Sequence, residues 1–259
     1  MNGGVIGRRA VPGVDGRSGV WPLQEIADAR RAGLWWRDYA TEVLADSPAV
    51  YWRLDETSGT TATDASGNAN HGTYGSGVTL DQIPLINAGR SIVGAATSPA
   101  AVDGLDLFES TVLSVEVWTK ISAAPAADRL LFLKSKSGFT APWVIFLRAN
   151  GTISANLRYQ NSTSGAVIAS SVGSVADGVR HQIGFAWDKG GDQKVHLYVD
   201  GSEVAVSPAW NQTIWGGNGH IAQVYASGVE AITLDEAAVF LSYLTPERFA
   251  AHYNAGAVA

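Results

Sequence analysis

The chain contains no cysteine among its 259 residues, which excludes disulfides, thiolate metal sites and cysteine nucleophiles together. It also lacks any apolar run approaching the roughly 18 residues that a membrane-spanning helix requires. No basic cluster is present, because 18 basic residues are scattered among 24 acidic ones, for a net charge of −6. We therefore expect neither nucleic acid nor a membrane as a partner.

The first residues contain no secretion signal. Met1 is followed by NGGVIGRRAVPG, which has no hydrophobic core of the signal-peptide type. We thus expect a protein that is made in the cytoplasm without a secretory leader. The remaining composition, with 46% hydrophobic and 16% charged residues, is ordinary for a folded protein with a sizeable core.

Most of the chain has the period of β-strands. From Tyr51 onwards apolar residues recur at every second position, as in residues 113–118, where Leu, Val and Val alternate with Ser, Glu and Trp. Asn150-Gly151 and Asp200-Gly201 each separate two such runs, and both dipeptides favour the positive φ angles of tight hairpins. The pattern predicts an all-β antiparallel sandwich whose first strand pairs with the last one, residues 232–241.

Helices are predicted only near the two ends of the chain. Residues 23–33 and 35–45 carry apolar residues at helical spacing, and helices this short need a surface to cover them. A last helix follows the final strand, with Thr245 as its N-cap, Pro246 as its first residue and Gly256 as its stop. Before the first helix, the Gly-rich residues 2–19 read as an extended arm. We therefore divide the chain into an arm with short helices, 1–46, and a sandwich, 47–259.

Four ordered blocks resemble a known family. They are YWRLDETSGTTATDASGNANHGTY, SVEVWTKIS, DGVRHQIGFAWDKGGDQKVHLYVDGSEVA and LDEAAVFLSYLTPERFAAHYNAG, and the resemblance covers about residues 47–259. They look like successive blocks of a laminin-G-like jelly roll of the concanavalin A-like superfamily. One position departs from the family pattern, because Arg180 precedes His181 where a Trp is usual.

The N-terminal segment resembles the opening arm of tailed-bacteriophage virion proteins. The matching residues are 3–7, 19–23 and 29–33, with Pro22 in place of the usual Ser and Arg8 where Pro is common. A Gly-rich arm with apolar anchors is suited to docking on a neighbouring subunit and to ordering on assembly. The resemblance implies that the arm joins other virion proteins through Gly3, Gly4, Val5, Ile6, Gly7, Trp21 and Leu23.

The loop from Asp64 to Gly72 is dense in oxygen ligands. Members of the superfamily often bind calcium near such elements, and calcium takes six to eight oxygens. A structural calcium ion held by Asp64, Asn68 and Asp235 is one hypothesis, and no other cofactor is expected. The favoured interpretation is structural, because Asp, Ser and Asn in a Gly-rich turn usually bond their own backbone.

A second loop combines aromatic and amide side chains. Between residues 207 and 220 it carries Trp210, Asn211, Trp215, Asn218 and His220. Sugars offer apolar faces to aromatic rings and hydroxyls to amides, so this composition fits a shallow glycan-binding surface. The alternative is that Trp210 and Trp215 cover the end of the core. For Trp52, Trp118 and Trp187, which lie within alternating strands, we expect the core.

Catalysis has little support in the sequence. A glycosidase on this fold needs two carboxylates aimed at one bond, yet Glu116 stands alone in its strand. Asp235 and Glu236 are consecutive, so we expect their side chains on opposite faces of the sheet. No nucleophile-elbow, phosphate-loop or HExxH pattern occurs. The protein is therefore not expected to be an enzyme.

The two resemblances together imply a function. They imply a structural protein on the surface of a tailed-phage particle, displaying a carbohydrate-binding laminin-G-like domain for attachment to host-surface glycans. A homo-oligomer, most naturally a trimer, is expected because weak sugar sites gain strength through multivalency. The alternative is a head or tail decoration protein with a purely structural role and no glycan binding. A polysaccharide-degrading enzyme is a third, disfavoured hypothesis.

Overall fold

The computed structural model describes residues 4–8, 18–22, 38–86, 89–94, 110–134, 143–157, 167–171, 173–212, 222–224 and 232–257. Within these ranges two antiparallel sheets pack on a common core, and two helices cover the outer face of the larger sheet. The predicted all-β, two-sheet antiparallel jelly-roll sandwich is therefore confirmed. None of the helices in the described ranges is long and apolar enough to cross a membrane.

The elements are numbered in chain order. The strands are β1 (Gly4–Arg8), β2 (Ser18–Pro22), β3 (Val50–Trp52), β4 (Thr61–Ala62), β5 (Gly72–Thr73), β6 (Val78–Gln82), β7 (Ser91–Gly94), β8 (Val112–Ile121), β9 (Arg129–Lys134), β10 (Trp143–Leu147), β11 (Ile153–Leu157), β12 (Val167–Ser170), β13 (Arg180–Asp188), β14 (His196–Val199), β15 (Ser202–Val206), β16 (Ala222–Val224) and β17 (Ile232–Phe240). The helices are α1 (Tyr39–Ala45) and α2 (Pro246–Ala257).

The larger sheet has eight strands. Seven follow the order β15-β14-β13-β8-β17-β7-β6, and β3 pairs with β17 beside that path. The pairing joins Trp52 to Ala237 and Val50 to Val239, so the predicted contact between the first and last strands of the sandwich is confirmed. The smaller sheet has the order β12-β11-β10-β9-β16.

Both predicted hairpins are present, but their turns differ. Asp200 and Gly201 have φ of 52° and 71°, the two positive values that a two-residue turn requires. At the other hairpin, between β10 and β11, Gly151 has a φ of 80°, and its N–H donates to the carbonyl of Arg148. Asn150 is not among the residues with positive φ, so this turn is longer than predicted.

The main core lies between the two sheets. Every second residue of the central strands points into it, including Val115 and Val117 from β8 and Phe185 and Trp187 from β13, and they meet residues such as Trp143 from the smaller sheet. Burial of these apolar side chains is the principal stabilising term, at about 25 cal/mol per Å² removed from water. Trp52 and Trp187 lie in this core as predicted.

A second core covers the other face of the larger sheet. Trp118 points there, because it follows Val117 and side chains alternate along a strand. Tyr39 and Val43 of α1 pack on this face, and Phe249 of α2 stacks on Tyr198 with ring centroids 4.0 Å apart. The sheet is therefore buried on both sides, which explains why nearly every residue of β8 is buried and not every second one.

Two glycines let α2 lie close to the sheet. A Cβ on Gly184 would stand 2.6 Å from Phe249, and a Cβ on Gly256 would stand 2.6 Å from Trp118. Helix α2 begins at Pro246 as predicted, but it continues through Gly256 to Ala257. The prediction that Gly256 stops the helix is wrong, since this glycine serves the close approach of the helix to Trp118.

The N-terminal segment contains a hairpin and a helix. β1 and β2 are extended as predicted but pair with each other, with Val5 opposite Trp21 and Ile6 opposite Val20. Gly4 and Gly7 also lie in β1, whereas Gly3, Leu23 and the predicted helix over 23–33 lie outside the described residues.

Helix α1 corresponds to the second predicted helix and begins after Asp38, whose carboxylate accepts a hydrogen bond from the N–H of Thr41. Its Tyr39 and Val43 side chains are buried against the sandwich. The last helix of the predicted 1–46 unit therefore packs with the larger domain. The division of the chain at residue 46 stays a prediction.

Candidate functional site

Trp210 belongs to the core of the sandwich. Its side chain is 7% exposed, and its ring meets that of Trp187 edge-on, with centroids 5.3 Å apart. Its backbone N–H donates to the carbonyl of Gln193 at 2.6 Å. Of the two sequence-based interpretations of this residue, the structure supports packing at the end of the core and does not support an open binding surface.

Asn211 follows Trp210 directly and is exposed. Trp215, Asn218 and His220 lie outside the described residues. The residues just before this segment are nonetheless held in place. The hydroxyl of Ser207 accepts a hydrogen bond from the N–H of Val195, and the N–H of Trp210 donates to the carbonyl of Gln193. Residues 207–210 are therefore fixed to the sandwich, and binding loops are commonly positioned by such a rigid scaffold.

The Asp64 loop is closed by its own hydrogen bonds. The carboxylate of Asp64 is 6% exposed and accepts from the N–H of Tyr51, from the N–H and hydroxyl of Ser66, and from the N–H of Asn70, at 2.7 to 2.9 Å. Asn68 uses its amide N–H group to reach the carbonyls of residues 48 and 49. These contacts support the structural interpretation of the loop, because the donors that surround the Asp64 carboxylate come from the loop itself and from β3.

Asp235 is engaged elsewhere. Its carboxylate accepts from the backbone N–H of Leu85 at 3.0 Å, on the face of the larger sheet that the helices cover. Hydrogen bonds between Asp235 and the Asp64 loop are absent from the described part of the chain. Across the described ranges, no group of three or more His, Asp and Glu converges as a metal ion would require. Asp64 and Asp235 are thus each engaged by their own hydrogen-bond donors, and the calcium ion held by Asp64, Asn68 and Asp235 stays a prediction.

Asp235 and Glu236 lie on the same side of the sheet, which corrects the expectation from strict alternation. The register between β17 and β8 shifts between Asp235 and Ala238, and Glu236 has a φ of 53°. This β-bulge turns Glu236 back toward the helix layer, where it accepts a hydrogen bond from the hydroxyl of Tyr51. A bulge of this kind cannot be read from two consecutive acidic residues.

Burial raises the pKa of both neighbouring carboxyl groups. Burial, reinforced by the charge of Glu236, raises the pKa of Asp235 well above its usual range. Burial also raises the pKa of Glu236 to about 7, although the hydrogen bond from Tyr51 and the charge of Arg53 act in the opposite direction. A carboxyl group with such a pKa can exchange a proton near neutral pH. Both side chains are nevertheless at most 3% exposed, and the groups that contact them include Tyr51, Arg53 and the backbone of Leu85.

A third carboxylate completes a polar network beneath the helices. Glu116 is fully buried on β8 and accepts hydrogen bonds from Tyr39 of α1 at 2.8 Å and from Gln182 of β13 at 3.2 Å. His252 of α2 contacts both oxygens of Glu116 at 3.0 Å and reaches Asp46 at 2.8 Å. The network joins both helices to the centre of the larger sheet.

Sequence reasoning did not identify this network. Its signal was present in the spacing of Arg248 and His252, which are four residues apart and therefore on one face of the last helix, beside the apolar Phe249. Glu116 was treated as isolated because its partners come from residues 39, 182 and 252. Only the folded arrangement places these residues around it.

Arg180, where the family pattern usually has Trp, also holds α2. Its guanidinium donates to the carbonyl of Leu85 and, at 2.9 Å, to that of Ala257 in the last turn of the helix. A cation at a helix C-terminus is favourable because the terminal carbonyls carry partial negative charge. The departure from the pattern thus has a structural role at this position.

The family model described as the Concanavalin A-like lectin/glucanases superfamily, of laminin G type, matches residues 94–248. The chain belongs to this superfamily. The match covers β8 to β17 and the first residues of α2, including Glu116, Trp210 and the Asp235-Glu236 pair. No curated protein matched the chain in a comparison of sequences.

Several solved structures share the concanavalin A-like fold with this chain. The binding domain of Paraclostridial Mosquitocidal Protein 1 aligns with a TM-score of 0.63 at 13% identity, over 82% of this chain and 52% of that one. The Botulinum neurotoxin serotype D binding domain aligns with a TM-score of 0.61 at 15% identity, over 84% and 52%.

The serotype D ligand binding domain in complex with N-acetylneuraminic acid aligns with a TM-score of 0.55 at 15% identity, over 84% of this chain and 52% of that one. The chain thus spans about half the length of these structures. At such low identity the likeness concerns the fold alone.

Proposed function

We propose that this superfamily member is a glycan-binding structural protein of a tailed-phage particle, made in the host cytoplasm and displayed on the virion surface for attachment to host glycans. The observation that carries the glycan part is the match of residues 94–248 to a lectin and glucanase superfamily. One neighbour in fold is a toxin domain in complex with N-acetylneuraminic acid, which supports a sugar as the ligand class. The virion part is supported by the resemblance of residues 3–33 to phage arms.

We place the sugar site on the segment 211–220. Asn211 is exposed at its start, and Trp210 fixes that start against the core. Trp215 then supplies the aromatic face, while Asn211, Asn218 and His220 supply hydrogen bonds to hydroxyl groups. Trp210 is not part of the contact surface in this proposal, since its ring is used inside the sandwich.

A glycan array with the full chain tests this site. We expect binding by the wild type, loss of binding in Trp215→Ala and partial retention in Trp215→Phe, because phenylalanine keeps an aromatic face. Thr79→Ala, an exposed position on β6 at the edge of the larger sheet, is the matched control. Equal binding by Trp215→Ala and the wild type would exclude the site, and no binding to any glycan would exclude the function.

The N-terminal hairpin is the proposed attachment to other virion proteins, in a homo-oligomer for which a trimer is the simplest form. A two-stranded ribbon is at best marginally stable in water, so β1 and β2 need further contacts, and a neighbouring subunit would supply them. Deleting residues 2–20 should leave a folded sandwich that no longer joins particles. Normal incorporation of this truncated chain would overturn the attachment proposal.

The burial of Trp210 favours one alternative, a decoration protein without glycan binding, because it removes one of the two aromatic rings from the predicted surface. A protein that is incorporated into particles but binds no glycan on the array would match this alternative.

We propose no catalytic role. Supporting this, Glu116, Asp235 and Glu236 are at most 3% exposed and are engaged by side chains and backbone. Hydrolysis of a capsule polysaccharide would contradict it.

A further inference from the structure

His252 lies between three elements and is completely buried. On one side its Nδ1 stands 3.0 Å from both carboxylate oxygens of Glu116 on β8. On the other side its Nε2 stands 2.8 Å from Asp46, the residue that ends α1. The imidazole itself belongs to α2, so one side chain links both helices to the sheet.

These contacts select one protonation state. A neutral imidazole has a single N–H donor, and an ionised carboxylate only accepts, so the neutral ring can satisfy Glu116 or Asp46 but not both. The imidazolium carries a proton on each nitrogen and satisfies both carboxylates. Loss of its second proton leaves a nitrogen lone pair of a fully buried ring facing a carboxylate at 2.8 to 3.0 Å, which is costly.

The imidazolium is the cation that pairs with Glu116. Among the described residues, the polar and charged groups that face the ring or its two carboxylates are Tyr39 and Glu42 from α1, Asp46 directly after it, Glu116 from β8, Gln182 from β13 and Arg248 from α2. The ring of Phe240 faces the imidazole from β17. If the imidazole becomes neutral, Asp46 keeps its ion pair with Arg248, whose Nη2 also stands 3.4 Å from Nε2 of His252, and Glu116 loses its ion pair with His252.

The pKa of His252 shifts in the direction that this geometry requires. Burial by itself lowers the pKa of His252, but the charge of Glu116, its hydrogen bond and the charge of Asp46 outweigh that effect and raise the pKa above 6.5. A histidine whose pKa is raised by folding stabilises the folded state fully below pH 6.5. This stabilisation is lost as the pH rises through the folded-state pKa.

We propose that His252 is a proton-dependent latch that holds α1 and α2 on the larger sheet and releases this helix layer when the imidazole loses its second proton. The latch controls access to the part of the sheet where Glu116 is buried. It also controls the attachment of α1, the element that connects the N-terminal segment to the sandwich. This inference does not depend on glycan binding.

Two other histidines provide internal comparisons. His181 lies between Asp200 and Asp177, at 2.7 and 3.2 Å, and His196 lies between Glu203 and Asp192, at 2.6 and 3.0 Å. Both are partly exposed, and these hydrogen bonds tie β13, β14 and their turns together. Substituting either histidine should therefore affect this part of the larger sheet more than the helix layer.

The protonation state can be observed directly by ¹⁵N NMR of the histidine rings in the full chain. We expect both ring nitrogens of His252 to carry protons at a pH near 6, with a midpoint above that of a free histidine. A singly protonated His252 ring at this pH would overturn the proposal. This measurement needs no variant, so it decides the question even if substitutions impair folding.

Hydrogen exchange then tests the release of the helices. Corrected for intrinsic rates, protection of the α2 amides should fall on the order of tenfold for each pH unit above the His252 midpoint, while β10 and β11 amides change little. Glu116→Gln should make the protection of α2 less dependent on pH, because the uncharged glutamine amide can form a hydrogen bond with a neutral imidazole. His196→Gln, the matched control, should retain it. Equal pH dependence of α2 in Glu116→Gln and the wild type would contradict the latch.

Discussion

Replacing Trp210 with alanine separates a structural role from a binding role. The ring is 7% exposed and packs edge-on against Trp187, so its removal opens a cavity at the end of the main core. Truncation of a buried tryptophan costs about 3–5 kcal/mol. The position at the end of the core lets neighbouring residues fill part of the space, so we expect the lower limit, about 3 kcal/mol.

This loss should appear as a lower melting temperature. For a domain of this size, 1 kcal/mol corresponds to roughly 2–4 °C, so Tm should fall by about 6–12 °C. Urea titration should show a lower midpoint with an unchanged slope, because the folded state buries nearly the same surface. Any loss of glycan binding in Trp210→Ala should follow the loss of folded protein as temperature rises.

The neighbouring residue provides the control. Asn211→Ala changes an exposed side chain and should leave Tm nearly unchanged, within about 0.5 kcal/mol. If it contributes to the proposed sugar site, it weakens binding at all temperatures at which the protein is folded. A Trp210→Ala variant with unchanged Tm and abolished binding would refute the assignment of Trp210 to the core.

Three further predictions concern other parts of the sandwich. Gly184→Ala should destabilise the protein by about 2 kcal/mol or more in thermal unfolding, because its methyl group would stand 2.5 Å from the backbone oxygen of Val115 and 2.6 Å from Phe249; an unchanged Tm would contradict this close packing. Asp64→Ala should cost about 3 kcal/mol with or without calcium, since it leaves the buried N–H of Tyr51 without its acceptor; a wild-type Tm that rises with added calcium would argue for the metal site instead. Because the pKa of Glu236 is raised to about 7, the folded protein binds that proton more tightly than the unfolded chain, so the contribution of Glu236 to stability should be fully present below pH 4.5 and be lost as the pH rises toward 7. Glu236→Gln should reduce this decline in urea titrations at several pH values, and an unaltered slope would count against the assignment.

Most of the fold could be predicted from the pattern of strands in the sequence. Alternation in β8 and β13, the turn at Asp200-Gly201 and the Pro246 start of α2 are local signals, and each was confirmed because it depends on residues close in sequence. Gly256 was misassigned for the opposite reason. Its local context is that of a helix stop, whereas its actual role depends on Trp118, which comes from a distant strand.

The candidate sites were less accessible to sequence reasoning. Composition alone identified the oxygen-rich Asp64 loop, but only its hydrogen bonds show which donors occupy the carboxylate. The bulge at Glu236 reversed the expected direction of that side chain, because one positive φ angle changes which face of the sheet a residue occupies.

The amino-acid sequence by itself determined that this chain forms an antiparallel sandwich with a final helix, because period, turn residues and helix caps act over a few neighbouring positions. The tertiary structure alone decided that Trp210 is a core residue and that His252, Glu116 and Asp46 meet. These contacts join residues up to 206 positions apart. Nothing local in a chain specifies which distant charges will share one buried site, since that depends on how whole sheets and helices pack.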